Sequence, residues 1–528
     1  MTYLGKTALL IALAMGILSC APANRGPAAM TPSSPRVDWA AKIREADDLY
    51  AEGHYVALVR ALEIYEAALA EPGWKSAASE KAVRAAIAVG LREKALGIPE
   101  EATSLRLRGF LASDPSLAPY DPCAKLVEVL PSRIKGVAGD NLPAGWNLDM
   151  FFDWIAKNAL PLDGALKERA ESDDLMACLR IELRQAFPYK FRDKFIAADY
   201  AAKHPGSKLV AFACAVSPSP NGEALNALLD GNPDFAEAHY YLGELALAEG
   251  LLVTAEDHYL QAYERIPGSP SILISLAGIA FQMEELKACL DDDEKALALV
   301  PSYRDALLGK AMCLGYLGRH EEALETLRRM LELGTYYMGE AHYWTAWNLN
   351  ELERLDEARR SIDSAKTFLA GQPDVLTLSG IIGYEQGHLE DAEKDLREAL
   401  GVQPSDCDAA YYLGKIYADK KNWRDSGAYF MGASVCFGKK ESELEKKIRE
   451  IEDSTLGLER KERLIRNKRR QILETQAVRA TCQYNGAAGF YNAGSPDLAL
   501  PLAELAAAHP AFAEKARELV RMIKGKMR

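Results

Sequence analysis

Between residues 236 and 440 the same small, apolar and proline positions return about every 34 residues, and this repetition limits the fold more than any other feature. In the clearest copy, residues 236–269, Leu242 and Gly243 sit in a first apolar stretch and Gly250 marks a break. Ala255, Tyr259, Ala262 and Pro267 follow. Two antiparallel helices joined by a short turn approach closely only where small side chains face each other. Gly243 and Ala255 meet that need, and Pro267 stops the second helix. Residues 270–303 keep Leu276, Ala277, Ala296 and Pro301, with Cys289 as the small residue. Residues 304–337 keep Ala311, Gly318, Ala323 and Leu327, and residues 339–372 keep Ala346, Ala358, Ile362 and Ala365. Residues 373–406 keep Gly380, Gly387, Ala392, Leu396, Ala399 and Pro404. Residues 407–440 keep Leu413, Gly414, Tyr417, Phe430 and Ala433, with Ser426 at the alanine position. Copies in phase predict an all-α chain, an α-α solenoid whose hairpins bury their faces against one another.

This pattern resembles the tetratricopeptide repeat, a family of helical hairpins. The resemblance implies that one face of each first helix lines a concave groove that holds a protein or peptide partner. The matching positions here are Tyr240, Phe281, Met312, Tyr316, Tyr343, Trp347, Tyr384 and Tyr411, with Glu244, Asn350 and Lys415 among them. Recurring rings suit apolar anchors of an extended or helical peptide. The Lys/Arg set by which chaperone-binding members of the family hold a C-terminal carboxylate is missing. Acids recur at the expected rim: Glu237, Asp305, Glu340, Asp374 and Asp408. Such acids are also favoured in a first helical turn.

Outside the six copies the period wears out. Residues 37–74 read as a degenerate hairpin with Gly53, Ala61, Tyr65, Ala68 and Pro72, and with extra residues at the turn. Residues 75–235 lose the period and predict irregular helical packing. Residues 441–479 predict a charged helical hairpin, broken around Asp453 to Gly457, that projects from or extends the solenoid. Residues 480–513 regain the spacing as a degenerate repeat, and 514–528 predict a capping helix with a polar outer face.

Charge narrows the partner. The net charge of −13 argues against nucleic acid, which needs a positive face. Residues 439–479 run against that balance, with 13 Lys or Arg to 9 Asp or Glu. A solvated helix face explains such a run, and an acidic partner or lipid headgroups are the other reading.

Nothing in the chain reads as a catalytic centre or a cofactor site. There is no HExxH, GxSxG, P-loop or GxGxxG, and the cysteines form no CxxC or metal-type cluster. No metal and no cofactor is expected. Without Cys20, eight cysteines remain, and their pairing is not deducible from spacing.

The N-terminus carries an address. Lys6 precedes an apolar run from Thr7 to Leu18, too short to span a membrane and of secretory-signal length. Ile17-Leu18-Ser19-Cys20 resembles the lipobox of bacterial lipoproteins, which implies a signal peptide over 1–19 and acylation of Cys20. Residues 20–36, rich in Pro, Ala and Ser, then read as a flexible lipid-anchored tether. Ala21 after the cysteine implies, by the same resemblance, the outer membrane facing the periplasm. The expected function is a lipid-anchored interaction scaffold. An accessory lipoprotein enclosing a ligand channel for a solute transporter, and an enzyme using residues 75–235, are the rivals.

Overall fold

The computed structural model describes residues 37–99, 101–130, 148–191, 195–334 and 337–527, and every regular element among them is a helix. The signal peptide, the tether and Cys20 lie outside the described residues. None of the described helices is long and apolar enough to cross a membrane.

Six hairpins follow one another along the period. The first pairs Ala236–Ala248 with Leu252–Arg265, the second Pro270–Gln282 with Leu286–Leu299, and the third Arg304–Tyr316 with His320–Leu333. The fourth pairs Met338–Glu351 with Leu355–Phe368 and the fifth Pro373–Glu385 with Leu389–Val402. The sixth pairs Cys407–Asp419 with a helix that begins at Trp423. First helices are buried on most sides because they lie between their own partner and the next hairpin. Pro270–Gln282 thus buries Ile272, Leu273, Leu276, Ala277, Ile279 and Ala280. Second helices are two-faced, as in His320–Leu333, where Ala323, Leu327 and Met330 point inward and charged residues outward. The small-residue rule holds at Gly414, where a Cβ would stand 2.9 Å from the Phe430 ring.

The turns inside the hairpins divide into two kinds. Gly250, Gly318 and Gly387 take left-handed conformations with φ of 77°, 76° and 80°. At the same point in the other three hairpins stand Glu284, Glu353 and Lys421, with φ of 62°, 58° and 57°. A side chain in this region costs on the order of 1–2 kcal/mol.

Ahead of the array, Trp39–Glu52 and Tyr55–Leu69 form a helix pair around Gly53. The residues that separate Gly53 from Ala61 more widely than in the repeats lie in the second helix, which begins at Tyr55, rather than in the turn. Lys75–Leu96 is the hub of the region that follows. From Ala78 onward its alanines, with Val83, Ile87 and Val89, are buried, so neighbouring helices approach it from several directions. This body is continuous with the first hairpin. Ser269 donates a hydrogen bond to the carbonyl of Leu96 at 2.8 Å, and Phe212 stacks on Phe235 with ring centres 5.5 Å apart.

At the far end the repeats run on without a break. The second helix of hairpin six spans Trp423–Asp453, and the next helix spans Leu458–Asn492. The boundaries expected at 440/441 and 479/480 therefore fall inside continuous helices. The distal halves of these helices make the charged hairpin, which neither projects into solvent nor extends the array. It folds back onto hairpins one and two, where Leu464 is 2 % exposed in the same core as Leu242 and Ile279. The proximal half of Leu458–Asn492 crosses Trp423–Asp453 at Gly427 and Gly489 and pairs with Pro496–Ala506 through a turn at Gly494. Ala513–Met527 then covers that pair with Ala516, Leu519 and Ile523.

Candidate functional site

Two runs of aromatic rings pass from hairpin to hairpin along the array. Phe281 meets Tyr316 edge-on at 5.5 Å, and Tyr316 touches both Trp347 (5.4 Å) and Trp344 (5.9 Å), with Tyr343 against Trp344 at 5.4 Å. Trp347 lies low over hairpin three because Gly315 has no side chain there; a Cβ would stand 2.8 Å from the indole. The second run joins Tyr384 to Tyr412 (5.6 Å), Tyr412 to Tyr411 (5.5 Å) and Tyr411 to Phe430 (5.7 Å).

Between the two runs opens a cleft of about 610 Å³ formed by hairpins four to six. Tyr343 and Trp347 line one side and Tyr412 the other, with Leu378 and Ile381 at the base. Asn350 also lines it, and its Oδ1 is buried with no hydrogen-bond partner. Charged groups stand among the rings: Glu351, Asp374, Asp408 and Glu443 as acids, Lys439 and Lys440 as bases. Asp406 is there too, but its carboxylate is engaged by the Thr377 hydroxyl (2.6 Å) and the Ala409 N–H (2.9 Å), so it caps a helix.

Tyr343, Trp347 and Asn350 are the expected groove residues that the fold brings together at one place. Phe281 and Tyr316 continue the first ring run, with Tyr316 half in solvent, and Tyr384 and Tyr411 belong to the second. Met312 is half-buried. Lys415 is already engaged: its ammonium lies 4.2 Å from the Tyr384 ring centre, 4.5 Å from that of Tyr412 and 3.6 Å from the Glu385 carboxylate. Tyr240 is a correction. It is 3 % exposed, packed against Tyr241 and Tyr259 in the core that hairpin one shares with Phe212, Phe235 and Leu464, and so it lines no groove. Trp344 and Tyr412 were not expected. Each lies three residues from an expected groove residue, Trp347 and Lys415, and that spacing puts them on a shared helix face.

The rim acids separate by environment. Asp374 and Asp408 open onto the cleft, whereas Glu237 is fully buried and accepts a hydrogen bond from the Tyr55 N–H at 2.7 Å. Burial pushes the Asp305 carboxyl up to about 6, against a hydrogen bond from Tyr337 that lowers it.

Two disulfides cross-link the array, Cys289 to Cys313 between hairpins two and three, and Cys407 to Cys436 within hairpin six. Cys289, Cys313 and the buried Asp293 are the described group within metal-ligand reach of one another, and its two sulfurs are joined to each other.

The family model for the tetratricopeptide repeat matches residues 223–270, 314–373 and 380–433. No curated protein matches the chain. Solved structures similar to it include a tetratricopeptide repeat protein from Parabacteroides merdae, with 17% identity, a TM-score of 0.36 and coverage of 52% of this chain and 95% of that one. PilW, described as a widely conserved type IV pilus biogenesis factor, has 18% identity, a TM-score of 0.36 and coverage of 48% and 98%. YrrB, a tetratricopeptide protein with an unusual peptide-binding site, has 22% identity, a TM-score of 0.31 and coverage of 38% and 100%. Identities and scores this low say nothing about what this chain binds. The family match falls on the hairpins that the fold builds, so the hairpin array is made of tetratricopeptide-type repeats.

Proposed function

We propose that this protein is a lipid-anchored interaction scaffold of the bacterial cell envelope, and that it grips a peptide segment of a partner protein at the cleft between its two ring runs. The cleft carries the reading: Tyr343, Trp347 and Tyr412 offer faces to an apolar or aromatic anchor. The exposed acids Glu351, Asp374, Asp408 and Glu443 outnumber Lys439 and Lys440, which suits an anchor with uncharged or basic flanks. The charged lining speaks against an apolar ligand channel. Support for the envelope comes from the lipobox-like Ile17-Leu18-Ser19-Cys20 and from two disulfides, which persist in oxidising compartments.

Pull-down from detergent-solubilised envelopes with the parent and with Tyr343→Ala/Trp347→Ala tests the groove. The double variant is expected to lose partners that the parent retains; an unchanged partner set with the fold intact sinks the idea. Acyl-label incorporation tests the anchor. If Cys20→Ala still labels and stays with the membrane, the lipoprotein reading is wrong.

A further inference from the structure

The charged hairpin joins the two ends of the repeat array. Helices of 31 and 35 residues extend roughly 46 and 52 Å at 1.5 Å per residue, long enough to reach across the array. At its root the hairpin is clamped. Cys436 is bonded to Cys407, and Glu441 holds both Arg479 (2.9 Å) and Gln476.

Its tip is held differently. Leu464, with the half-buried Ile451 and Leu456, enters the core of hairpin one. Around this small apolar contact stand ionic ones. Arg460 lies between Glu256 (2.7 and 2.9 Å) and Glu285 (3.0 and 3.1 Å), Arg463 also reaches Glu285, and the buried Lys468 and Gln471 both bond Glu284. Burial works to raise the Glu285 carboxyl, yet the two guanidiniums outweigh it and hold the group below the usual carboxylate range. Glu284 is the residue that occupies a left-handed turn where hairpins one, three and five use glycine. The side chain tolerated there is the one that binds the tip.

A solenoid without such a link takes its curvature from neighbour contacts alone, and small rotations accumulate along it. Here hairpin six is bound to hairpins one and two, and the cleft lies beside the root, with Lys439, Lys440 and Glu443 in its wall. We infer that the charged hairpin is a releasable tie: its ionic tip contact on Glu256, Glu284 and Glu285 holds the array closed, and detaching the tip widens the concave groove. The basic excess of 439–479 thereby has partners within the molecule. The inference stands apart from the groove reading, since no bound partner enters it.

Hydrogen exchange and small-angle X-ray scattering on the full chain test it. Glu284→Lys/Glu285→Lys is expected to speed exchange over residues 454–472 by about ten-fold or more while hairpins three to five stay protected, with a larger radius of gyration. The exchanged pair Glu284→Lys/Lys468→Glu should return both readouts toward the parent. Raising salt to about 1 M, where screening acts within roughly 3 Å, should loosen the parent tip in the same way. If the reversed variant unfolds, the salt series on the parent decides alone. Exchange at 454–472 as slow in high salt as in low, or a reversed variant that is folded and no larger, would mean a permanent strut and overturn the proposal.

Discussion

Arg92 and Glu237 meet inside the molecule, guanidinium nitrogen to carboxylate oxygen at 3.4 Å, with both side chains withdrawn from solvent. The pair joins the irregular N-terminal body to the first repeat. Arg92 also donates to the Gly53 carbonyl (2.9 and 3.2 Å) and lies 4.0 Å over the Phe212 ring, so one cation fixes a turn, a ring and a repeat. Removing one member of a buried pair strands the other. Arg92→Met is expected to destabilise the protein by about 3–5 kcal/mol in denaturant unfolding. Arg92→Met/Glu237→Gln should recover part of that loss, and a double variant no better than the single one would show that the charge on Glu237 is not the cause.

The turns make a second test. Glu353→Gly and Lys421→Gly remove a side chain from left-handed backbone and are each expected to raise stability by roughly 1 kcal/mol, read as a higher melting temperature. Glu284→Gly relieves the same strain but loses the bonds to Lys468 and Gln471, so its gain should be smaller or reversed.

His239 and His258 face each other across hairpin one with Nδ1 atoms 3.2 Å apart. Burial, then the neighbouring His258 and Arg265, lowers His239 from 6.5 to about 4, and burial lowers His258 too. The unfolded chain therefore binds protons first as pH falls. Stability present above pH 6.5 is lost progressively down to about 4. Urea midpoints measured across that window should fall less steeply in His239→Gln/His258→Gln than in the parent. Parallel slopes would assign the loss to other groups.

Cys407 and Cys436 close a loop with a sequence separation of 29. Cys407→Ser/Cys436→Ser is expected to cost about 3–4 kcal/mol by loop closure. Cys123, Cys178, Cys214 and Cys482 are free, and burial raises their thiols, Cys123 and Cys214 to about 11 and Cys482 to about 12. Alkylation followed by mass spectrometry should modify Cys123, Cys178 and Cys482 only after unfolding, with the half-buried Cys214 reacting earlier.

Helical hairpins were readable from residues such as Gly243, Ala255 and Gly414 because their spacing reports a contact between helices adjacent in sequence. The groove was readable in part for the same reason: Tyr343, Trp347 and Asn350 share one face of one helix, and helical spacing fixes that face before any packing occurs. Tyr240 shares the equivalent face and was misplaced, since its burial depends on Phe212, Phe235 and Leu464, which arrive from distant parts of the chain.

The sequence by itself determined the hairpins, their order and the aromatic character of one surface, all consequences of short-range periodicity. Tertiary structure alone decided which of those rings meet at a cleft, that Glu237 is a buried partner of Arg92 rather than a rim acid, and where the basic run of 439–479 goes. Each depends on groups far apart in the chain. Burial and ion pairing between them follow from how the helices fold back, and a repeat pattern holds no record of that path.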